Sequence, residues 1–152
     1  MKEIHGIDIS SKMIETAKSR AGERKIENIE FAHATIFDKR YGRESFDAIL
    51  ALNVLHLVED INKVMQRINE LLKPGGLIIS STACMGETGK FFSKLISIPI
   101  FLLTKLGILP KIIFFRVSEL EDSITNGKFQ IVKTETKSSN AATTCFIVAK
   151  KV

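Results

Sequence analysis

The stretch Phe46 to Ser80, FDAILALNVLHLVEDINKVMQRINELLKPGGLIIS, constrains this chain more than any other. It reads as strand, loop, helix, tight turn and strand. Phe46–Leu52 is an apolar run of strand length, interrupted only by Asp47, and its apolar composition on both faces predicts a buried parallel strand. Asp60 is placed to cap a helix whose apolar residues Ile61, Val64, Met65, Ile68, Leu71 and Leu72 fall at the spacing of one helical stripe. Lys73 suits the negative end of that helix, Pro74-Gly75-Gly76 is expected to stop it and turn the chain, and Leu77-Ile78-Ile79 to return as a second buried strand. Two strands joined through a helix in this way run parallel, with a right-handed crossover. The fold class is therefore α/β.

The flanking sequence extends the pattern in both directions. Ile4–Ile9 is a short strand, followed by Ser10-Ser11 as a helix N-cap and by Met13, Ile14, Ala17 and Ala21 on one helical face, with Gly22 as the helix end. Asp8 thus stands at the carboxyl end of a strand that feeds a helix, the place where doubly wound sheets meet a nucleotide. Ile29–Ala32 is the next strand and opens into His33-Ala34-Thr35-Ile36-Phe37-Asp38. A charged connector, 38–45, leads to the central unit. Beyond Ser80 a loop is expected over Ser81–Lys90. Ser118-Glu119-Leu120-Glu121 fits a capping box, Gly127 ends the short helix that it starts, and Phe129–Thr136 and Cys145–Ala149 are strands joined by a polar turn over 137–144. His33 pairs with no acid in the sequence and is expected to be a solvent-facing loop residue.

Composition narrows the class. A chain of 152 residues is one domain by default, and 45% apolar with 26% charged residues suits a globular protein with a real core. The net charge of +5 is spread along the chain, so no nucleic-acid stripe is evident. Cys84 and Cys145 stand far apart without metal-ligand spacing, which predicts a reducing compartment, no metal site and a cytoplasmic home. The very apolar stretch Phe91–Phe115 is not expected to insert stably in a membrane, because Lys94, Lys105, Lys111, Pro99 and Pro110 interrupt it.

FDAILALNVLHLVED followed by LLKPGGLIIS resembles strands four and five of the class I S-adenosylmethionine-dependent methyltransferases, with the helix between them. GIDIS resembles that family's ribose-binding acidic strand, and GKFQIV with FIVAKK resembles the antiparallel pair that closes its sheet. The resemblance implies a mostly parallel, doubly wound (Rossmann-like) sheet with helices on both faces and an antiparallel C-terminal strand, in a single domain over 1–152. It implies S-adenosylmethionine as cofactor and a small-molecule acceptor. Asp8 would hold the ribose hydroxyls, the alternative being a carboxylate that caps the next helix. Ile9 and Met13 would lie beside it in the donor site. The family's Gly-Asp pair after its next strand is replaced here by Ala34-Thr35. The adenine contact then falls to the Thr35 hydroxyl or to Asp38, with Ile36 or Phe37 as apolar cover. Asn53 would approach the amino-acid part of the donor. His56 is the candidate catalytic residue, as proton acceptor, and its alternative is to pack on the helix start. Phe91–Phe115 would be an apolar lid over the acceptor pocket or a plain core helix.

One part of the family pattern is absent. Members begin with a strand and a G-x-G-x-G loop that lets backbone approach the donor, and no Gly-x-Gly occurs in this chain. The first βα unit is therefore expected to be lacking. Its strand would lie in mid-sheet, between the Ile4–Ile9 and Phe46–Leu52 strands. Three arrangements stand open: a fragment or late-start gene model of a full enzyme, direct pairing of those two strands, or self-association through unpaired strand edges. The chain alone is expected to be an impaired methyltransferase. The alternative is a non-catalytic remnant acting as a binding or assembly module. A nicotinamide dehydrogenase shares the strand-end acid, but the single tyrosine, Tyr41, has Ser45 where a short-chain enzyme needs lysine, and no dinucleotide glycine loop is present.

Overall fold

A computed structural model describes residues 3–84, 113, 115–138 and 143–152. The chain packs as two compact units, Met1–Gly42 and Arg43–Val152. In the first, β1 (Ile4–Asp8) and β2 (Ile29–His33) form a parallel pair bridged by helix α1 (Ser11–Glu23). Ser10 is the N-cap, its hydroxyl accepting the Met13 amide at 3.4 Å. The helix runs one residue past Gly22: the Arg24 amide returns to the Arg20 carbonyl, and Lys25 takes the left-handed turn at φ 53°. Ile9, expected to end the first strand, lies outside it and is 75% exposed. Tyr41 is buried, and its ring meets that of His5 edge-on at 5.9 Å.

The second unit contains β3 (Phe46–Leu52), helix α2 (Ile61–Leu71), β4 (Leu72–Cys84), helix α3 (Val117–Asn126), β5 (Phe129–Ser138) and β6 (Thr143–Lys151). They form a four-stranded sheet in the order β3-β4-β6-β5, with β3 and β4 parallel and the remaining neighbours antiparallel. The α/β class, the parallel crossover and the antiparallel closing pair are thus as the sequence suggests. Asp60 caps α2 by accepting the Lys63 amide at 3.1 Å. Val64, Met65, Ile68 and Leu71 on α2 and Leu120 and Ile124 on α3 are buried, as are Ala51, Ile78, Cys145, Ile147 and Ala149 on the strands. Each large side chain so buried contributes roughly 1.5–3 kcal/mol.

Several expectations are corrected. Helix α2 ends at Leu71, not at the Pro-Gly-Gly, and Leu72 already pairs with Phe46 as the first residue of β4. Lys73 to Gly76 therefore form an irregularity inside the strand pairing, with Gly75 at φ 73°. Lys73 does not serve the helix end but pairs with the Asp47 carboxylate at 2.8 Å. A Cβ on Gly76 would stand 2.9 Å from the Lys73 carbonyl and 3.1 Å from that of Asp47, so the tight crossing needs a residue without one. Strand β4 continues through Ser81–Cys84, where a loop was expected, because Leu77–Cys84 is laddered to β6. The cap of α3 lies two residues before Ser118: the Glu119 carboxylate accepts the Arg116 amide at 2.9 Å. Strands β5 and β6 run longer than expected. Strand β3 is not buried on both faces, because Leu50 and Leu52 are 59% and 57% exposed. Among the described residues β1 ladders with β2, and β3 with β4. Residues 85–90, 91–112 and 114, and so nearly all of the Phe91–Phe115 lid, lie outside the described residues, as does the middle of the 137–144 turn. No described helix is long and apolar enough to cross a membrane.

Candidate functional site

The carboxyl ends of β1 and β2 bring together most of the residues singled out for donor binding. Asp8 is the last residue of β1 and is in register with His33, the last of β2. Its Oδ1 accepts the Ser10 amide at 2.8 Å, while Oδ2 accepts nothing among the described residues. Ser10, not Asp8, caps α1, so the helix-capping alternative for Asp8 does not describe this end of the fold. Asp8 instead braces the residue that does the capping and keeps one carboxylate oxygen in reserve. Ile9 and Met13 follow it, 75% and 55% exposed. Large apolar side chains open to water at the mouth of a polar site are a surface on which a flat ring can rest.

Across from them, the turn after β2 is held by its own hydrogen bonds. The Thr35 hydroxyl accepts the Phe37 amide at 3.3 Å and its carbonyl accepts the Asp38 amide at 3.1 Å. Thr35 is exposed, so its hydroxyl proton can be donated outward. Phe37 is 50% exposed, and Ile36 half-buried. Asp38 is committed elsewhere: its carboxylate takes the Arg40 guanidinium at 3.1 Å and the Arg40 amide at 3.0 Å. The hydrogen bond from that guanidinium holds the Asp38 carboxyl below its ordinary range. Of the two adenine candidates, Thr35 has the capacity to spare.

A contact invisible in the sequence ties the two strand ends together. His33 Nε2 lies 2.8 Å from the Ile9 carbonyl, and since a carbonyl only accepts, the ring donates. His33 is exposed, as expected, but it also fixes the backbone beside Asp8. At the other end of β1, His5 sits between Glu3 at 3.6 Å and Glu30 at 3.4 Å. That cluster is remote along the strand from Asp8 and is not part of this site.

The second unit carries the remaining candidates at the carboxyl end of β3. Asn53 adopts φ 52°, a conformation that asparagine tolerates better than most residues, and its amide donates to the Ser81 carbonyl at 2.7 Å. Its exposed side chain bonds to nothing among the described residues. A single 3-10 turn, Leu55–Leu57, follows and places His56 between the buried Leu55 and the 40% exposed Leu57. Burial pushes the His56 imidazole below its ordinary pKa, so the ring is neutral near pH 7. Its Nδ1 is covered and has no hydrogen-bond partner among the described residues, while its backbone carbonyl accepts the Ile113 amide at 2.7 Å. Leu52 and Val54 stand exposed beside this turn.

A family model described as a methyltransferase domain matches residues 1–142. Phosphoethanolamine N-methyltransferase 2 of Caenorhabditis elegans is 30% identical over 76 residues, 50% of this chain and 17% of that protein. A ubiquinone biosynthesis O-methyltransferase of Nitrobacter winogradskyi is 36% identical over 80 residues, 53% of this chain and 30% of its own length. The matched part is thus under a third of either relative. Among solved structures, a SAM-dependent methyltransferase from Methanosarcina mazei superposes with a TM-score of 0.79 at 20% identity, covering 99% of this chain and 82% of that one. At that identity the likeness is one of fold.

Proposed function

This chain belongs to the methyltransferase domain family, and from that premise we propose that it binds S-adenosylmethionine and serves methyl transfer to a small, apolar acceptor. The observation that carries the reading is the unspent Asp8 Oδ2 at the end of β1, flanked by exposed Ile9 and Met13 and faced in its own unit by the Thr35–Phe37 turn. These residues fit the donor's chemistry. A carboxylate with a free oxygen can accept from ribose hydroxyls, and a turn of exposed hydroxyl and apolar side chains suits an adenine ring. In this reading Asp8 holds the ribose, Thr35 and Ile36 the adenine, and Ile9 and Met13 cover the nucleoside. Asn53 approaches the amino-acid part. Bound S-adenosylmethionine supplies a sulfonium methyl group already activated for in-line displacement, so the protein's task is orientation.

His56 is the residue proposed to take a proton from the acceptor. It is neutral near pH 7, and a neutral imidazole keeps one unprotonated nitrogen, so the ring has capacity for a proton. Nδ1 is covered, so an acceptor that uses it must displace what covers it. Exposed Leu52, Val54 and Leu57 around the turn favour an apolar molecule, and names such as ubiquinone biosynthesis O-methyltransferase among the relatives are compatible with one.

The family model spans both compact units, which supports reading 1–152 as one methyltransferase-like domain. No Gly-x-Gly is present to bring backbone against the donor, so these residues alone bind it weakly and turn over poorly. A cytoplasmic location and the absence of nucleic-acid partners belong to the same proposal. A second reading, a non-catalytic binding or assembly module that self-associates, is favoured by one observation: the large apolar side chains of Leu50 and Leu52 on β3 are exposed among the described residues. Calorimetric titration with S-adenosylmethionine separates the two. Weak binding that Asp8→Ala abolishes supports the enzyme reading; no heat at millimolar donor leaves the module.

A further inference from the structure

A single peptide plane lies between His33 and Asp8. Its carbonyl is that of Ile9, which accepts the His33 Nε2–H at 2.8 Å, and its N–H is that of Ser10, which donates to Asp8 Oδ1 at 2.8 Å. In a trans peptide these two groups share one rigid plane and point in opposite directions. The histidine that ends β2 and the carboxylate that ends β1 therefore grip the same plane from opposite sides.

The residues flanking the plane are anchored. Before it, the Asp8 carbonyl accepts the Ala34 amide at 3.1 Å, which prolongs the β1–β2 ladder. After it, Ser10 is fixed to α1, its carbonyl accepting the Ile14 amide at 3.1 Å and its hydroxyl the Met13 amide at 3.4 Å. The motion left to the plane is a rotation about the line joining the Ile9 and Ser10 Cα atoms. That rotation breaks the bonds to His33 and to Asp8 together and sets the carboxylate free to turn. Ile9 is 75% exposed, so packing of its own side chain does not hold the plane.

We propose that His33 is a positioning residue of the donor site: it holds the Ile9 carbonyl, and so the Ser10 amide, and so the direction in which Asp8 presents Oδ2 to the ribose hydroxyls. The two bonds support each other, because a carbonyl that accepts a hydrogen bond makes the N–H of its own peptide a stronger donor. Nε2 carries a proton both in the neutral tautomer that bonds the carbonyl and in the charged ring, so the hold does not depend on the ring's charge. His33 is exposed, and a bond that exchanges with water adds little to stability. Its effect is on orientation. The ribose role rests on the donor reading above, whereas the hold on the peptide is a property of the chain alone.

The test uses the full chain with His33→Phe, which keeps a ring and removes the donor, and His33→Gln, whose amide N–H can reach the same carbonyl. In the free protein, hydrogen exchange of the Ser10 amide should quicken about threefold or more in His33→Phe and return toward wild type in His33→Gln. Adenosine at millimolar concentration, followed by the same amide resonances, should bind His33→Phe about three- to tenfold more weakly, with His33→Gln again restored. The dideoxy analogue of adenosine, which lacks both ribose hydroxyls, should bind wild type and His33→Phe alike. A merely structural ring would lower the thermal midpoint and weaken both ligands equally. A Ser10 amide indifferent to His33→Phe, or equal losses for adenosine and its dideoxy analogue, overturns the proposal. No binding of S-adenosylmethionine by the wild-type chain overturns the donor reading and the ribose role with it, while the Ser10 amide still decides whether His33 holds the peptide.

Discussion

Asp8 Oδ1 accepts the amide of Ser10 at 2.8 Å, and Ser10 in turn caps α1, so the carboxylate at the end of β1 and the start of the helix after it are aligned by one short relay. The arrangement holds Asp8 in one orientation and leaves Oδ2 for a ligand. Asp8→Ala should weaken S-adenosylmethionine binding by roughly 1.5–3 kcal/mol, the scale of a hydrogen bond to a charged group. Asp8→Asn should lose less, since an amide oxygen can still accept. Calorimetry at millimolar donor reads both, and equal affinity for wild type and Asp8→Ala would remove Asp8 from the site.

Met65 is fully buried on α2, in the layer that also contains Leu120 and Ile124 of α3. Truncation leaves a cavity between two helices and the sheet. Met65→Ala should cost about 2–5 kcal/mol in urea unfolding. A loss under 1 kcal/mol would show that α2 and α3 can close over the gap.

Local signals explain which of these features are legible in the sequence. The ends of β3, the Asp60 cap and the α2 stripe depend on neighbours within a few residues, and they stand where the pattern places them. The start of β4 does not. Lys-Pro-Gly-Gly has the composition of a turn, and only the pairing of Leu72 with Phe46, across the crossover, makes it part of a strand. The capping box was misplaced for a related reason: Ser118 and Glu121 match the side-chain pattern, but the bond made is to the backbone amide of Arg116, which any residue provides. At the site, Asp8 could be placed because a strand end followed by a helix start is a local event. The bond from His33 to the Ile9 carbonyl spans 24 positions and depends on β1 and β2 lying side by side. Exposure of Leu50 and Leu52 was equally hidden, because an apolar strand reads as buried until its neighbours are known.

Gly76 tests the crossover itself. A Cβ there meets two backbone carbonyls, at 2.9 and 3.1 Å, and neither can swing aside as a side chain could. Gly76→Ala should destabilise by about 1–3 kcal/mol, the range for forcing a methyl group into filled space. Thermal unfolding of the variant gives the answer, and an unchanged midpoint would mean that the Lys73–Gly76 irregularity yields easily.

His56 links stability to pH. Burial lowers its pKa in the folded chain, whereas in the unfolded chain it titrates near its ordinary value of about 6.5. Below that pH the unfolded state therefore takes up the proton first, and stability falls as pH drops from about 6.5 through the lowered folded value. Above about 6.5 both states are neutral and the full contribution is present. Urea midpoints between pH 5 and 8 should decline on the acid side, and the decline should be shallower in His56→Phe, which keeps a ring in the same place and does not titrate. If His56 also accepts the acceptor's proton, turnover should persist to lower pH than an ordinary histidine would allow, and His56→Phe should lose turnover while keeping donor affinity. Identical pH slopes for wild type and variant would show that the ring is solvated in solution, and would remove the physical basis for its proposed role.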